Sequence, residues 1–201
     1  MSDLSERNAV ERKDDLLFVG GHAAIDFINT VHMVGGVLTD TLHSDDDVRG
    51  WMARSELTPG VSSTRWADGE LLHTARQLRD IAVQGLESRK AKKRFPVAGL
   101  NAFLSHAVSY PQLVAEGSQS RIKRTYLART PREFLAPVAE AVADLLANAD
   151  FDVIRRCAGE KCVLWFYDRT KSHHRRFCSA ALCGNRAKVS AYRARQRRHR
   201  R

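Results

Sequence analysis

The sequence lacks several features that would place it in a common functional class. No stretch approaches the ~18 consecutive apolar residues that a membrane-spanning helix needs, so we expect no membrane partner. Residues 1–15 are polar and lack the apolar centre of a secretory signal, so the expected location is the cytoplasm. Phosphate-binding loops, nucleophile elbows and zinc-protease motifs are absent, which predicts that the protein is not an enzyme. An enzyme of unrecognised type in the N-terminal body is the remaining alternative.

Acidic residues are almost missing from the C-terminal end of the chain. Residues 155–201 contain 15 Lys and Arg but only two acidic residues, Glu160 and Asp168, for a net charge of +13. Residues 1–154 contain 18 basic and 21 acidic residues, for a net charge of −3. The formal charge of +10 therefore comes wholly from one end of the chain. A body with one concentrated basic end predicts a polyanion partner for that end, and a solvated basic tail is the alternative.

Cysteine is absent from the first 156 residues, and all four cysteines lie in the basic segment. Their spacing is Cys-x4-Cys-x15-Cys-x4-Cys, which in a reducing cytoplasm favours a metal site over disulfides. Four thiolates complete a tetrahedral shell and leave no position for a reacting water, so we predict one structural Zn²⁺. An iron–sulfur cluster with the same ligands is the alternative. The predicted metal ligands are Cys157, Cys162, Cys178 and Cys183.

The residues around the cysteines predict a hairpin followed by a helix. Val163–Tyr167 is strand-prone, and His173–Phe177 is the predicted returning strand. His173 and His174 could replace a ligand, but we interpret them as surface or phosphate-contacting residues. After Cys183 we predict a basic helix whose small residues face the zinc loops, namely Ala187, Ala191 and Ala194.

The basic helix and the hairpin supply the candidate nucleic-acid contacts. Arginine pairs with guanine in a major groove while other cations hold phosphates, so DNA is the expected partner. RNA is the alternative, because zinc modules and Arg-rich helices also bind RNA. The predicted contacts are Arg175, Arg176, Arg186, Lys188, Arg193, Arg195 and Arg197.

Helical patterning dominates residues 1–150, and the hydrophobic content of 43% is enough for a core. We predict an α+β fold class: a mainly helical N-terminal domain with a few short strands, then a small four-cysteine zinc finger consisting of a hairpin and a basic helix. The predicted helices cover 23–33, a segment that starts at Ser44, 67–92, 97–108 and 131–147, and the predicted strands cover 16–19 and 121–129.

Three segments follow from these patterns. Residues 1–150 are the predicted N-terminal domain, 153–197 the zinc finger, and 198–201 a basic tail. We interpret the basic run Lys90–Arg94 as a helix terminus rather than a second nucleic-acid site, because cations suit the negative end of a helix. A single helix contacts only a small part of a nucleic acid, so a homodimer formed through the N-terminal body is a further hypothesis.

Three polar residues interrupt the apolar pattern of the first predicted helix: Asp26, Asn29 and Thr30. Buried polar groups need hydrogen-bond partners. These residues therefore either tie the helix to a neighbouring backbone or line a pocket for a small-molecule ligand.

Together these motifs resemble a known family. Cys157-Ala158, Phe166 with Asp168, Arg175 to Ser179, and Cys183-Gly184-Asn185-Arg186-Ala187-Lys188 are similar to the CGNR zinc finger. Phe177 and Thr170 stand where the finger commonly has Trp and Ser. The string Ile25 to Thr30 is similar to the Leu-Asp-Leu-Val-Asn-Thr string of the ABATE domain that precedes such fingers. The resemblance implies a stress-linked bacterial transcription regulator that binds DNA through the finger and senses a signal through the N-terminal domain.

Overall fold

The computed structural model describes residues 16–57, 59 and 66–199. These residues form two compact units. Residues 16–41 and 150–199 form the first, which we call the finger unit, and the described part of 42–149 forms the second, the helical unit. The N-terminal residues up to Thr41 thus group with the cysteine-rich end rather than with the helices that follow them in sequence.

Helices and short antiparallel hairpins make up both units, which confirms the predicted α+β fold class. No helix among the described residues is long and apolar enough to span a bilayer. The helices are α1 (Ala23–Ile28), α2 (Asp45–Arg54), α3 (Glu70–Lys90), α4 (Ala98–Leu104), α5 (Pro131–Phe134), α6 (Ala136–Asn148) and α7 (Asn185–His199). The strands are β1 (Val31–Val34), β2 (Val37–Asp40), β3 (Ser109–Glu116), β4 (Gln119–Tyr126), β5 (Ile154–Arg156) and β6 (Trp165–Tyr167).

The helical unit follows the sequence pattern closely. Helix α2 begins where predicted, because the Ser44 hydroxyl accepts a hydrogen bond from the Asp47 N–H at 3.2 Å. Helix α3 buries one continuous apolar face and ends in Arg89 and Lys90, beside the negative end of its dipole. The fully buried residues of that face are Leu71, Ala75, Leu78, Ala82 and Leu86.

Two elements of the helical unit differ from the prediction. The single helix expected over 131–147 is interrupted at Leu135, between α5 and α6. Pro137 has no N–H to continue the α5 ladder, and instead it occupies the first turn of α6. Strand β4 was expected over 121–129, but its partner β3 was not, because most β3 side chains are exposed and carry no clear alternation of apolar and polar residues.

The N-terminal part of the finger unit was predicted incorrectly in two places. Helix α1 ends at Ile28 instead of Met33, and the chain turns back at Gly35-Gly36 to pair β1 with β2. Both glycines have positive φ, which suits this tight turn. Residues 16–19 form no strand, although they pack near the cysteines.

The hairpin of the finger unit has a different partner from the one predicted. Strand β6 pairs with β5, with Arg156 opposite Trp165 and Ile154 opposite Tyr167. The prediction that 173–177 would return as a strand is wrong. That segment is held instead by single contacts, such as the Ala158 N–H donating to the Arg176 carbonyl at 2.8 Å.

Candidate metal centre and nucleic-acid interface

The four cysteine side chains of the finger unit meet at one point, with all Sγ atoms within 4.8 Å of one another. The Sγ atoms of Cys162 and Cys178 lie 3.9 Å apart, and those of Cys178 and Cys183 lie 3.6 Å apart. A tetrahedral zinc with Zn–S bonds of about 2.3 Å has S···S edges of about 3.8 Å. The cluster therefore fits one structural zinc ion, as predicted. Neither His173 nor His174 belongs to the cluster.

Several N–H groups point at the sulfurs. The Gly159 and Cys178 N–H groups donate to the Cys157 Sγ at 3.3 and 3.2 Å, and the Arg186 guanidinium donates to the Cys183 Sγ at 3.2 Å. Such donors offset the negative charge that four thiolates place around one zinc ion. Gly159 must be small, because a Cβ there would lie 3.0 Å from the Cys183 Sγ.

The thiols differ in how readily they ionise without metal. Burial raises the pKa of Cys162 to about 11, and burial with neighbouring sulfur charge raises that of Cys178 further. Burial also opposes ionisation of Cys157, but the N–H groups of Cys178 and Gly159 hold its pKa below the ordinary thiol value. Metal binding must therefore displace protons, and affinity for zinc should rise with pH.

A buried carboxylate orders the loop between the two cysteine pairs. Asp168 is fully buried, and its oxygens accept hydrogen bonds from the Thr170 N–H and hydroxyl and from the Arg175 N–H. The Arg155 guanidinium lies 3.7 Å away. Burial opposes ionisation, but these donors keep the pKa of Asp168 below its ordinary value. The sequence reading assigned Asp168 no role, although its position as one of two acids in a basic segment was a usable signal.

Arg175 is engaged inside the finger unit. Its guanidinium donates to the carbonyls of Phe177 and Val19 at 2.9 and 2.8 Å and to the Cys178 carbonyl, and it stacks on the Phe166 ring at 4.4 Å. These contacts make Arg175 a structural cross-link of the finger unit, whose guanidinium is already occupied by backbone carbonyls. Arg176 is exposed.

Helix α7 projects its basic side chains into solvent. It follows a short π-helical turn, Ala180–Gly184, that carries the last cysteine. Two residues of the predicted small-residue face lie toward the cysteine loops: Ala187, which is half-buried, and Ala191, which is exposed, line one cavity with Gly159 and Cys183. The side chain of Ala194 lies outside the described residues. The exposed predicted contacts on this helix are Arg186, Lys188, Arg193, Arg195 and Arg197. Residues 200–201 of the predicted tail lie outside the described residues.

One side of α7 forms an open groove with the π-helical turn. Leu182 and Val189 supply apolar surface there, and Arg186, Arg193 and Arg197 supply charge. The exposed fractions of Val189 and Tyr192 are 48% and 57%. Apolar and cationic groups thus alternate along this exposed helix.

The polar string of α1 bonds to backbone groups. The Asp26 Oδ1 accepts from the Gly20 N–H at 2.7 Å, and the Thr30 hydroxyl donates to the Phe27 carbonyl at 2.7 Å. Asn29 contacts Trp165, 136 positions away in the sequence, through both of its amide atoms. Asn29 therefore connects the end of α1 to strand β6, whereas Thr30 bonds to a carbonyl of α1 itself.

Comparison with protein families identifies the family to which the chain belongs. A family model described as "Putative stress-induced transcription regulator", named ABATE, matches residues 21–149. The chain belongs to the ABATE family. The CGNR zinc finger model matches residues 154–196, in the order that the sequence predicted. A search of curated proteins finds no match. Both matched families are regulator or zinc-finger types rather than enzyme families.

The ABATE match crosses the two compact units. Its first residues, 21–41, lie in the finger unit, and the rest lie in the helical unit. Within the finger unit this early ABATE segment makes two kinds of contact: Asn29 binds the backbone of Trp165 in the finger, and Asp26 binds Gly20, close by in the sequence. The family boundary and the structural boundary are therefore different.

Asp26 gives the ABATE segment a pH-dependent stability. Burial raises the pKa of Asp26 from the usual 3.8 to about 6. Its backbone hydrogen bonds to Gly20 and Val19 and the charge of Arg175 lower the pKa, but their combined effect is smaller. The folded state thus holds this proton more tightly than the unfolded chain. The stabilisation from the protonated group is complete below pH ~4 and is lost as the pH rises through about 6.

Asp26→Asn should remove the loss of stability that the native chain suffers as the pH rises, while keeping an oxygen acceptor for the Gly20 N–H. The free energy of unfolding of the variant, minus that of the native chain, should be about 1.4 kcal/mol larger at pH 8 than at pH 5. Urea denaturation of both zinc-loaded proteins measures it, and the subtraction cancels the pH dependence of the thiolates. A difference that does not change with pH would contradict the assignment.

Proposed function

We propose that the protein is a zinc-dependent, DNA-binding transcription regulator whose reading element is helix α7. The observation that carries the proposal is this exposed helix, fixed at its first turn to the cysteine cluster. Residues 185–199 contain six Lys and Arg and no acidic residue. The family description, a stress-induced transcription regulator, supports the same function.

The dimensions of α7 favour duplex DNA over duplex RNA. An α-helix with its side chains is about 10–12 Å across, which matches the DNA major groove of about 12 Å. The major groove of A-form RNA is deep and too narrow for side-chain reading. The 15 residues of α7 span about 22 Å, enough to cross the groove and contact phosphates on both sides.

Signal sensing is the other part of this proposal, and we assign it to the helical unit. The other candidate site, Asp26 with Asn29 and Thr30, has hydrogen-bonding groups directed to backbone atoms of the finger unit, which argues against a ligand there. We place the response to a sensed ligand, or to a second copy of the chain, in the described part of residues 42–149.

Competition binding tests the choice of nucleic acid. A labelled 20-base-pair duplex of random sequence is bound by the zinc-loaded chain, then displaced by unlabelled duplex DNA, single-stranded RNA or hairpin RNA at equal nucleotide concentration. We expect duplex DNA to displace the label at the lowest concentration and a short preferred sequence to emerge on repeated selection. Displacement by either RNA at tenfold lower concentration would overturn the assignment to DNA.

A further inference from the structure

We propose that Asn29 is a positioning residue for nucleic-acid binding. Asn29 and its flanking segment lie along the edge of strand β6, in the place that a third strand of the finger's sheet would occupy. The segment is residues 16–34, here called the N-terminal brace. The claim that the brace affects nucleic-acid binding depends on the proposed function. The claim that the brace stabilises the zinc site does not.

The brace occupies the outer edge of β6. The Asn29 Oδ1 accepts from the Trp165 N–H at 2.9 Å, and the Asn29 Nδ2 donates to the Trp165 carbonyl at 2.8 Å. Two residues further along, the Tyr167 N–H donates to the Gly20 carbonyl at 2.7 Å. Alternate residues of a strand direct their backbone groups to the same edge, so the brace takes the place of a neighbouring strand.

An amide side chain suits this position for a specific reason. Asn offers one donor and one acceptor, the pair that a residue in a neighbouring strand would offer through its backbone. Asn29 is 2% exposed, so both hydrogen bonds are shielded from solvent in the folded chain. Removing the Asn29 amide would leave the Trp165 N–H and the Trp165 carbonyl without these hydrogen bonds, and buried polar groups without partners are costly.

One glycine allows the brace to approach β6 closely. A Cβ at Gly21 would lie 3.0 Å from the Tyr167 carbonyl oxygen, and Gly21 has φ of +74°, a conformation that other residues rarely adopt. A larger residue at this position would push the brace away from β6. Gly20 has a different role, because a Cβ there would lie 2.7 Å from the Ile25 Cγ2, within the brace itself.

The brace also contacts the surroundings of the metal centre. Leu17 and Val19 pack on the buried cluster that contains the cysteines. The Arg175 guanidinium donates to both the Val19 carbonyl and the Cys178 carbonyl, so one side chain joins the brace to a proposed zinc ligand. Because the same cluster fixes the start of α7, displacement of the brace should loosen the zinc site and the orientation of the reading helix together.

Coupling between two sites is reciprocal, so zinc should protect the brace and the brace should protect zinc. Hydrogen exchange of the native full-length chain tests the first direction, measured with zinc bound and after chelation. We expect faster exchange on chelation at the amides of Trp165 and Tyr167 and within residues 20–30, with the helical unit unchanged. Faster exchange confined to residues 154–199 would overturn the proposal, and this result does not depend on any nucleic acid.

Substitutions test the second direction. In Asn29→Ala and, independently, Gly21→Ala, we expect zinc to remain at one per chain but to transfer to a chelator about 10–100-fold faster. The affinity for duplex DNA should fall by a similar factor. The matched controls are Asn101→Ala and Gly50→Ala in the helical unit, where the Asn is exposed and an added Cβ meets nothing within 4 Å.

The possible outcomes distinguish failure of this proposal from failure of the proposed function on which it depends. Zinc transfer at the native rate in both brace variants overturns the role of Asn29. Faster zinc transfer with unchanged affinity for DNA overturns the link to binding and keeps only a structural brace. A native chain that binds no DNA but shows the exchange pattern removes the proposed function and leaves the brace standing.

Discussion

Cys178→Ser should abolish stable zinc binding and nucleic-acid binding while leaving the helical unit folded. Cys178 is fully buried, and its Sγ is within 4 Å of the sulfurs of two other cysteines. The cysteines share a buried cluster with Leu164 and Phe166, so loss of the metal removes the bonds that join the two halves of the finger. In zinc-finger peptides the metal contributes about 10–16 kcal/mol at neutral pH.

Metal analysis, circular dichroism and binding to a labelled duplex measure the three effects. We expect less than one zinc per chain, helix content lowered only by about the length of α7, and affinity for DNA reduced at least 100-fold. Loss of an outer-shell partner typically costs 10–100-fold in metal affinity, and loss of a ligand should exceed that.

A second cysteine provides a conservative comparison. Cys162 is half-buried, and three cysteines with one histidine form another common zinc set. Cys162→His should therefore retain zinc and a substantial part of DNA binding, whereas Cys162→Ser should behave like Cys178→Ser. Native affinity for DNA in a zinc-free Cys178→Ser protein would contradict the proposed role of the metal.

Neutralising three cations on α7 should produce the other large effect. Lys188, Arg193 and Arg197 are exposed, and no described acidic group pairs with them. If each contacts one phosphate, replacing all three by Gln lowers the salt slope of log K against log [salt] by about 2.7, since each phosphate contributes about 0.9. At 0.1 M salt this corresponds to an affinity loss of roughly 500-fold.

The basic run at the end of α3 offers a control with the same change in charge. Lys92, Lys93 and Arg94 are also exposed, and we interpret them as a helix terminus. Replacing these three by Gln should change the salt slope by less than about 0.5, because none of them contributes a full phosphate contact. Equal losses in the two triple variants would show that net charge, rather than α7, determines binding.

The sequence predicted best where a local rule acts on its own. The Ser44 cap with three following aspartates and the apolar stripe of α3 each specify a helix without reference to the rest of the chain. Strand pairing is decided by distant partners, and there the prediction failed. Segment 173–177 has strand-forming character, but Asp168 and Arg175 bind that loop through individual contacts, and β5 takes the strand position.

The site was predictable to a similar degree. Paired cysteine spacing was sufficient to predict the metal centre, since two short loops carry the ligands. The partner of Asn29 was not predictable, because Trp165 lies 136 positions away and the bond is to its backbone, which any residue type except proline would supply. Arg175 looked like a surface cation because charge alone does not reveal that carbonyl groups surround it.

Reversible removal of zinc from the native chain tests the central claim most directly, namely that zinc holds α7 in the conformation that binds DNA. Fluorescence anisotropy follows a labelled duplex at fixed salt through zinc-loaded protein, chelation and re-addition of zinc. We predict that chelation weakens binding at least 100-fold and that re-added zinc restores it. Equal affinity before and after chelation, with zinc loss verified, would contradict the account.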